Sequence, residues 1–336
     1  MTRCASRASV AGRLSEFDLI EKVFAPLATA PGAFGLKDDA ALIAPRRDGG
    51  LVLTTDALVA GVDFFAADPP DQVAMKALRV NLSDLAAKGA RPFGYLLTLV
   101  LPRSTKESWI KAFARGLRED QSRFGVALLG GDISSTGGPL AISLAAFGEA
   151  PRAGMLRRSG ARAGDLVFVT GTIGDSRGGL ALLKGAGKGR TTAAHRRRLI
   201  ESYRVPEPPV RFGLSLPGLA SASIDVSDGL LADLGHIAET SGARIVLEAA
   251  RIPRSDALLA LWGEGPFAIA RAASAGDDYQ VAFTAPWRSR SKIAAVAGRT
   301  ATRVTEIGRV EKGQGVVLLD GKGRPIRPRR AGYVHF

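Results

Sequence analysis

Short apolar runs alternate with segments of helical periodicity in the first half of the chain. Strands are predicted at residues 51–55, 93–101, 126–129 and 140–147, each rich in Leu, Val, Ile or Phe. Met75, Leu78, Leu82 and Leu85 recur at spacings of three and four and predict an amphipathic helix that ends near Gly89. A second helix is predicted from the spacing of its large side chains, which are Trp109, Phe113, Leu117 and Gln121.

The second half repeats this alternation with less regular spacing. Strands are predicted at residues 165–170, 223–226, 280–283 and 304–307, and a terminal hairpin at 316–321. A glycine-rich turn is expected after the first of these strands, continuing to residue 179, and a flexible basic loop at 184–195. A helix is predicted from Gly229, with Leu231, Leu234 and Ile237 facing the core. Such alternation indicates an α/β or α+β architecture.

The length of 336 residues favours two domains. Proline, glycine and arginine residues interrupt the apolar pattern between residues 148 and 164. We therefore predict one domain at residues 16–150 and a second at 151–336.

Composition excludes several classes of protein. A single cysteine, Cys4, excludes an internal disulfide framework and a thiolate zinc cluster, and three widely separated histidines argue against a His-rich metal site. Apolar runs of membrane-spanning length and a hydrophobic signal core are missing from the sequence. We therefore expect a soluble, cytoplasmic protein.

The net charge of +14 raises the question of nucleic-acid binding. Much of the excess lies in residues 152–158, 184–198 and 322–330, but aromatic residues make up only 6% and do not interleave with these basic runs. Stacking platforms for bases are therefore missing from the pattern. Solvated loops, or attraction of small polyanions, explain the net charge about as well as nucleic-acid binding does.

Candidate chemistry lies in aspartates placed at the ends of apolar runs. Any one of them is compatible with ordinary turn chemistry, but five sites share the same pattern. Carboxylates that converge from strand ends suit Mg²⁺ and the phosphates it carries. The five sites are Lys37-Asp38-Asp39-Ala40, Thr54-Thr55-Asp56, Asn81-Leu82-Ser83-Asp84, Gly130-Gly131-Asp132 and Asp225-Val226-Ser227-Asp228-Gly229.

Two of these sites carry additional information. Asp225 and Asp228 flank a predicted strand-to-helix junction, where backbone amides can face an anion. Asp228 could instead be a plain helix N-cap, and these two interpretations stand equal at this point. On the predicted helix before Gly89, Asn81 and Asp84 share a face, and Lys88 follows one turn later.

The ordered set of motifs resembles the thiamine-monophosphate kinases over roughly residues 16–336. The wider superfamily also contains aminoimidazole ribonucleotide synthetase and selenophosphate synthetase. Besides the sites above, the resemblance is carried by residues 16–20, Gly61-Val62, Arg158-Ser159-Gly160-Ala161, Gly276-Asp277-Asp278-Tyr279 and the terminal Gly332-Tyr333-Val334-His335-Phe336.

The resemblance implies a two-domain aminoimidazole ribonucleotide synthetase-like fold. Its N-terminal domain would bind ATP and Mg²⁺ and pair its sheet with a second copy in a homodimer. The C-terminal α/β domain would end in a substrate-contacting tail. The implied reaction is ATP-dependent phosphorylation of thiamine monophosphate to thiamine diphosphate with release of ADP.

The resemblance also implies a role for individual residues. The metal ligands would be Asp39, Thr54, Thr55, Asp56, Asp84, Asp132, Asp225 and Asp228, holding several Mg²⁺ ions. ATP contacts would come from Gly131, Arg158 and Ser227, and substrate contacts from Asp63, Asp277 and Tyr333. A general base is not expected, because the acceptor phosphate is already mostly ionised at neutral pH, with a second pKa of about 6.

This chain departs from the family pattern at three positions. The family usually has Gly, His and Glu where this chain has Lys37, Asp63 and Asp277. Two of the three substrate positions are thus changed, whereas the metal and ATP positions match. The alternatives are a different phosphorylated acceptor for an enzyme of the same superfamily, or a basic nucleic-acid-binding protein with structural aspartates.

Overall fold

The computed structural model describes residues 16–36, 50–187, 191–327 and 332. Its strands are β1 Leu51–Val59, β2 Arg91–Pro102, β3 Ala127–Thr136, β4 Ala141–Glu149, β5 Asp165–Thr170, β6 Ala222–Asp225, β7 Arg244–Glu248, β8 Val281–Pro286, β9 Val304–Glu311, β10 Gly315–Leu319 and β11 Pro325–Ile326. Its α-helices are α1 Glu16–Leu19, α2 Pro70–Ala87, α3 Glu107–Phe124, α4 Asp175–Leu183, α5 Ala193–Arg204, α6 Val210–Gly213, α7 Leu230–Ser241, α8 Asp256–Trp262, α9 Pro266–Ala273 and α10 Arg290–Thr300.

By the density of contacts within each part, the described residues divide into two compact units. Those of the first unit fall within residues 1–46, 55–78 and 93–146, and those of the second within 47–54, 79–92 and 147–336. The second unit thus includes residues 51–54 of β1, 79–87 of α2, 91–92 of β2 and 147–149 of β4. The predicted division between residues 150 and 151 stays a prediction.

A four-stranded sheet in the order β1-β4-β2-β3 is formed by the strands described before residue 150. Strands β2 and β3 are parallel, with Leu97 opposite Gly131 and Thr98 opposite Asp132. The backbones approach so closely that a Cβ on Gly131 would lie 1.9 Å from the carbonyl oxygen of Leu97. Glycine is therefore required at position 131 by the sheet itself.

The later strands form a seven-stranded sheet in the order β11-β10-β7-β9-β5-β8-β6. β10 runs parallel to β7, whereas β5 is antiparallel to both β8 and β9, and β6 is antiparallel to β8. The core beside this sheet includes Val167, Ile224, Leu234 and Ile245, each with at most 1% of its surface exposed. Burial of such a side chain contributes about 1.5–3 kcal/mol. This core fixes β6 and α7, which carry the junction at residues 225–229.

Two of the predicted loops contain helices. The glycine-rich turn predicted to reach residue 179 is wrong beyond residue 174, because α4 begins at Asp175. The predicted loop at 184–195 ends early, since the Thr192 hydroxyl accepts a hydrogen bond from the His195 N–H and caps α5, which begins at Ala193. In both cases the packing of α4 against α5 stabilises a helix where the local glycine and charge content favours a loop.

The predicted helices and strands around the candidate site are found in the structure. The 75–89 helix is part of α2, the 109–121 helix is part of α3, and the strand at 223–226 is β6. The terminal hairpin is also found, with β10 and β11 paired antiparallel. Among the described helices, none has the length and apolar character needed to cross a membrane.

Candidate functional site

The candidate site lies in the second unit and contains two carboxylates, Asp84 and Asp225, each of which accepts a hydrogen bond from a hydroxyl group. The Thr54 hydroxyl donates to Asp84 Oδ2 at 2.5 Å, and the Ser83 hydroxyl donates to Asp225 Oδ2 at 3.1 Å. Ser83 and Asp84 are neighbours on α2, so this helix joins the start of β1 to the end of β6. Three of the residues predicted as metal ligands, Thr54, Asp84 and Asp225, are thereby brought together.

Asp225 is held in a place that disfavours its negative charge. Burial, followed by the nearby carboxylates of Asp84 and Asp233, raises the pKa of Asp225 well above its usual range, although the Ser83 hydroxyl and Lys88 act in the opposite direction. A cation at this point would stabilise the ionised carboxylate. The position of Asp225 is therefore one at which a bound cation would favour the ionised carboxylate.

The chemistry of the donors fits Mg²⁺. Thr54, Asp84 and Asp225 offer a hydroxyl and two carboxylates, which are hard oxygen ligands. Within the described ranges, no group of three or more His, Cys, Asp or Glu side chains is assembled as a metal site. Mg²⁺ commonly takes one or two carboxylates from a protein and completes its shell with water and substrate phosphates. The two carboxylates of Asp84 and Asp225 are consistent with this mode of Mg²⁺ coordination.

Asp233 caps the helix that follows β6. Its Oδ2 accepts the backbone N–H groups of Asp228 at 3.2 Å and Gly229 at 3.0 Å. The N-cap residue of α7 is Gly229, with φ of 129°, and the start of α7 has no side-chain cap of the usual kind. Burial raises the pKa of Asp233 to about 7. Asp228 is therefore not the N-cap of α7, and the alternative interpretation of this residue is wrong.

The loop at residues 274–279 is bound directly to the β6–α7 junction. Asp277 N donates to Ser227 O at 2.8 Å, and Tyr279 N donates to Val226 O at 2.7 Å. Asp277 and Tyr279 have positive φ values of 71° and 49°, which L-residues adopt at a cost. The predicted substrate residue Asp277 therefore lies next to the predicted ATP contact Ser227, in a backbone conformation that the surrounding hydrogen bonds maintain.

The neighbouring aspartate, Asp278, has a structural role. Its side chain is buried and accepts hydrogen bonds from Gly174 N at 2.6 Å and Ser176 N at 3.4 Å, at the start of α4. Burial raises the pKa of Asp278 well above its usual range, and the Gly174 hydrogen bond only partly offsets this. Asp278 is therefore occupied at the start of α4, whereas the Asp277 carboxylate accepts a hydrogen bond from the Tyr279 hydroxyl at 3.3 Å.

Two cationic side chains lie at the carboxylate cluster. Lys88 Nζ donates to Ser223 O at 3.2 Å, and burial lowers the pKa of Lys88 while the carboxylates of Asp225 and Asp84 oppose that shift. The charge of Arg158 also acts on Lys88 and on Asp233. The predicted ATP contact Arg158 is thus near the cluster. Lys88 was recognised in the sequence only as a residue on the same helix face as Asp84.

The remaining predicted residues of the first unit lie on or just after the four-stranded sheet. Thr55 and Asp56 follow Thr54 in β1, and Gly131 and Asp132 are consecutive in β3. Asp63 follows β1, where its carboxylate accepts Val59 N at 2.8 Å and its carbonyl accepts Lys76 Nζ at 2.9 Å. The carboxylate of Asp63 therefore helps to hold the turn after β1.

Asp39 and Tyr333 lie outside the described residues. Gly332, which precedes Tyr333, is described, and it packs against α7. A Cβ at position 332 would lie 2.5 Å from Ala232 Cβ and 2.9 Å from the carbonyl oxygen of Asp228. Gly332 thus lies against Asp228, the residue predicted to bind metal at the β6–α7 junction.

Sequence reasoning missed Ser83 and the capping role of Asp278, and it recognised Asp233 only as a first-turn charge of the helix after Asp228. Ser83 sits beside Asp84 and carries no separate signal, whereas Asp233 could be recognised as a first-turn acid of α7. The role of Asp278 depends on α4, which is more than 90 residues earlier in the chain. Only the folded arrangement separates Asp278 from Asp277.

Comparison with known proteins places the chain among enzymes of one family. Residues 37–150 match the family model of the AIR synthase related protein N-terminal domain, and residues 162–321 match that of the C-terminal domain. Thiamine-monophosphate kinase from Caulobacter vibrioides is 40% identical over 325 residues, which cover 96% of this chain and 91% of the relative.

Solved structures give the same result. Thiamine-monophosphate kinase from Stenotrophomonas maltophilia superposes with a TM-score of 0.83 at 39% identity, covering 93% of this chain and 98% of that one. A second structure, AaThiL complexed with AMPPCP and TMP, has a TM-score of 0.76 at 34% identity, covering 98% of this chain and all of that one. The chain therefore belongs to the thiamine-monophosphate kinase family, within the AIR synthase related proteins.

Proposed function

We propose that this protein transfers the γ-phosphoryl group of ATP to thiamine monophosphate, giving thiamine diphosphate and ADP. The bond between the γ-phosphorus and its bridging oxygen breaks, and a bond from a phosphate oxygen of the acceptor to the same phosphorus forms. The observation that carries the proposal is the cluster of Thr54, Asp84 and Asp225 in a chain 40% identical to a thiamine-monophosphate kinase. A solved relative holds AMPPCP and TMP.

The side chains of the cluster suit direct transfer without a general base. The acceptor phosphate, with a second pKa of about 6, is mostly ionised at neutral pH and attacks as an anion. Mg²⁺, when bound, would neutralise charge on the transferring phosphoryl group. Thr54, Asp84 and Asp225 would hold it, and Arg158 would offset the repulsion between the two phosphate anions.

Further residues are assigned by the family resemblance and stay predictions. Additional Mg²⁺ ligands would come from Asp39, Thr55, Asp56, Asp132 and Asp228, and ATP contacts from Gly131, Arg158 and Ser227. Acceptor contacts would come from Asp63, Asp277 and Tyr333. Asp277 keeps the charge of the family's Glu on a shorter stem, and the hydrogen bond from its N–H to the Ser227 carbonyl supports an acceptor site beside the nucleotide site.

The proposal extends to the oligomeric state and the cellular setting. Strand β1 is at one edge of its sheet and exposes Leu51 and Leu53, with 47% and 62% of their surfaces accessible. An exposed apolar edge strand needs covering, and pairing with a second copy would provide it. We therefore propose a homodimer that acts in thiamine biosynthesis in the cytoplasm. A monomer in sedimentation at micromolar protein would contradict the dimer.

The test is product identification. The protein is incubated with ATP, Mg²⁺ and thiamine monophosphate, and the products are separated and identified by mass. Thiamine diphosphate and ADP in equal amounts are expected, and both should disappear with Asp84→Asn. ATP turnover that depends on another phosphorylated acceptor, with none on thiamine monophosphate, would keep the superfamily chemistry and reject this substrate.

The same preparation decides against the class of nucleic-acid-binding proteins. Binding to mixed DNA or RNA that survives physiological salt, together with no ATP turnover, would contradict the kinase. Loss of any such binding as salt rises would mark it as attraction by net charge.

A further inference from the structure

The side-chain amide of Gln280 fixes the chain directly after the loop at residues 274–279. Its Nε2 donates to the carbonyl oxygen of Glu207 at 3.1 Å, and its Oε1 accepts the hydroxyl of Thr170 at 2.8 Å. The Gln280 carbonyl also accepts Val226 N at 2.7 Å. An amide offers one end as a donor and the other as an acceptor, so the two side-chain partners fix its orientation. Gln280 is thus attached to three separate segments of the second unit.

The end of β5 leaves the Gln280 amide little freedom. Thr170 is fully buried, and its hydroxyl accepts Val281 N at 2.9 Å while it donates to Gln280. The next residue, Gly171, has φ of 61°, and a Cβ there would lie 2.4 Å from Gln280 Oε1. The amide therefore packs directly against the backbone after β5, and glycine at position 171 makes room for it.

The carbonyl oxygen that Gln280 binds is held in turn by α2. Arg79 of α2 is 2% exposed, and its Nη1 donates to Pro206 O at 3.1 Å and pairs with the Glu207 carboxylate. A guanidinium taken out of water needs such partners, and its planar shape holds them in a defined geometry. Arg79 thereby fixes residues 206–207, and these residues join α2 to Gln280.

The loop that precedes Gln280 has a backbone that must be held. Asp277 and Tyr279 have positive φ values of 71° and 49°, and such conformations persist only where the surrounding structure maintains them. The hydrogen bonds to Ser227 and Val226 hold the loop at one side. Gln280 holds its other end, at the point where the chain enters β8. Loss of the amide is therefore expected to loosen the loop and to displace the Asp277 carboxylate.

We propose that Gln280 is a positioning residue for the acceptor, and that Arg79 supports it through residues 206–207. The amide holds Asp277 where its carboxylate can contact the acceptor. This inference rests on the proposed function, because it takes Asp277 as an acceptor contact. It assigns part of the acceptor affinity to two side chains that act through the loop.

Steady-state kinetics of Gln280→Met test the proposal. Methionine has nearly the same length and no charge, but it makes neither amide hydrogen bond. The KM for thiamine monophosphate should rise about fivefold and the KM for ATP by a smaller factor, with kcat changed less than about twofold. The Thr54 and Ser83 hydroxyl groups still hold the carboxylate cluster, which is why kcat is expected to persist. An acceptor KM equal to that of the wild type would overturn the proposal.

Matched variants separate the hydrogen bonds from packing. Gln314→Met removes an exposed glutamine between β9 and β10 and should leave both KM values unchanged. Thr170→Val removes the hydroxyl and should raise the acceptor KM, whereas Thr170→Ser keeps the hydroxyl and should match the wild type. An equal rise in both Thr170 variants would count against the proposal. Should Gln280→Met fail to fold, Gln280→Glu takes its place, since glutamate keeps the size of the side chain and loses the donor to Glu207.

A double-mutant cycle tests the part of Arg79. Arg79 and Gln280 both bind residues 206–207, so their effects on the acceptor KM should not be independent. Arg79→Met should raise this KM about twofold, and together with Gln280→Met it should raise it by less than the product of the two single effects. Arg299→Met removes an exposed arginine on α10 and serves as the control. Effects that multiply would reject the support by Arg79.

Hydrogen exchange separates this inference from the proposed function. In the free protein, the amides of Asp277 and Tyr279 should exchange faster in Gln280→Met than in the wild type, whichever acceptor the enzyme uses. If the wild type phosphorylates another acceptor in place of thiamine monophosphate, a raised KM for that acceptor would reject the proposed substrate and support the role of Gln280. Thiamine diphosphate production with exchange and acceptor KM both equal to the wild type would reject the role of Gln280 alone.

Discussion

The backbone N–H of Asp277 donates a hydrogen bond of 2.8 Å to the carbonyl oxygen of Ser227. These residues come from two separate loops and are proposed to contact the acceptor and ATP respectively. A second bond, from Tyr279 N to Val226 O at 2.7 Å, runs beside it. The two loops are thus held as one backbone unit, so a shift of either backbone is expected to affect both ligands, whereas the loss of one side chain need not.

Asp277→Gly should separate stability from acceptor binding. Glycine tolerates the φ of 71° at this position, so the free energy of unfolding should rise by about 0.5–1 kcal/mol. The lost carboxylate should raise the KM for thiamine monophosphate and leave the KM for ATP nearly unchanged. Urea unfolding and steady-state kinetics measure the two effects. Asp277→Asn, which also tolerates this φ, isolates the contribution of charge, and an unaltered acceptor KM in both variants would remove Asp277 from the substrate contacts.

Asp84→Asn and Asp225→Asn should each abolish turnover with little loss of stability. Each substitution keeps an oxygen that can accept the existing hydroxyl hydrogen bond from Thr54 or Ser83. Each removes a charged metal ligand, for which a fall in kcat of at least about 100-fold is expected, with less than about 1 kcal/mol lost on unfolding.

Asp256→Asn is a suitable control for the loss of one negative charge, because Asp256 is exposed in the first turn of α8. Its kcat should match the wild type. Near-normal turnover by either cluster variant at limiting Mg²⁺ would show that its carboxylate does not bind the metal.

Asp278→Asn should flatten the dependence of stability on pH. The raised pKa of Asp278 means that the folded state favours the protonated carboxyl, so the wild type loses stability as pH rises above about 4, the ordinary value, towards the raised one. Asparagine cannot ionise and should gain on the wild type over this window. Denaturant unfolding at a series of pH values provides the measurement. A difference that stays constant, or that favours the wild type as pH rises, contradicts the burial argument.

Gly332→Ala should disturb the contact of residue 332 with α7. The added Cβ would lie 2.5 Å from Ala232 Cβ and 2.9 Å from the Asp228 carbonyl, so the backbone at position 332 must shift. Because Tyr333 follows directly, the KM for thiamine monophosphate should rise several-fold, as it should with Tyr333→Ala, and ATP binding should change little.

Gly235→Ala provides the matched comparison, since a Cβ at Gly235 of α7 would meet nothing within 4 Å. It should leave both KM values unchanged and add up to about 1 kcal/mol of helix stability. Adding Ala232→Gly to Gly332→Ala should restore part of the acceptor affinity. An equal loss of ATP and acceptor affinity in Gly332→Ala would contradict the assignment of this segment to the acceptor.

The sequence predicted the part of the site that follows from strand ends and helix periodicity. Asp225 ends β6 and Asp84 lies on the regular helix α2, so local patterns were enough to single them out. The helix α4 was missed because Gly178 and Gly179 read as a turn. A Cβ on Gly179 would lie 2.0 Å from the carbonyl oxygen of Leu199, so that glycine permits close packing against α5. This requirement for glycine depends on the packing of α4 against α5, which the local sequence does not show.

The roles of polar neighbours could not be predicted for a similar reason. Asp277 and Asp278 are identical residues in one turn, and the local sequence does not show which of them holds the start of a helix. The distinction is made by Gly174, whose N–H binds Asp278. Likewise Lys88 is an ordinary helix-end lysine until the fold brings the Ser223 carbonyl of β6 to its ammonium group, at 3.2 Å.

The capping contact of Asp278 also limits how this enzyme can diverge. Asp278 is hydrogen-bonded to the start of α4, and Asp277 is hydrogen-bonded to Ser227. An insertion or deletion between positions 276 and 278 could keep only one of these two hydrogen bonds. The proposed acceptor contact at position 277 can therefore change through the identity of its side chain, but not through the length of the loop. In a library built to alter specificity, randomised codons at 277 would yield folded members, whereas length variants would be lost before selection acts on catalysis.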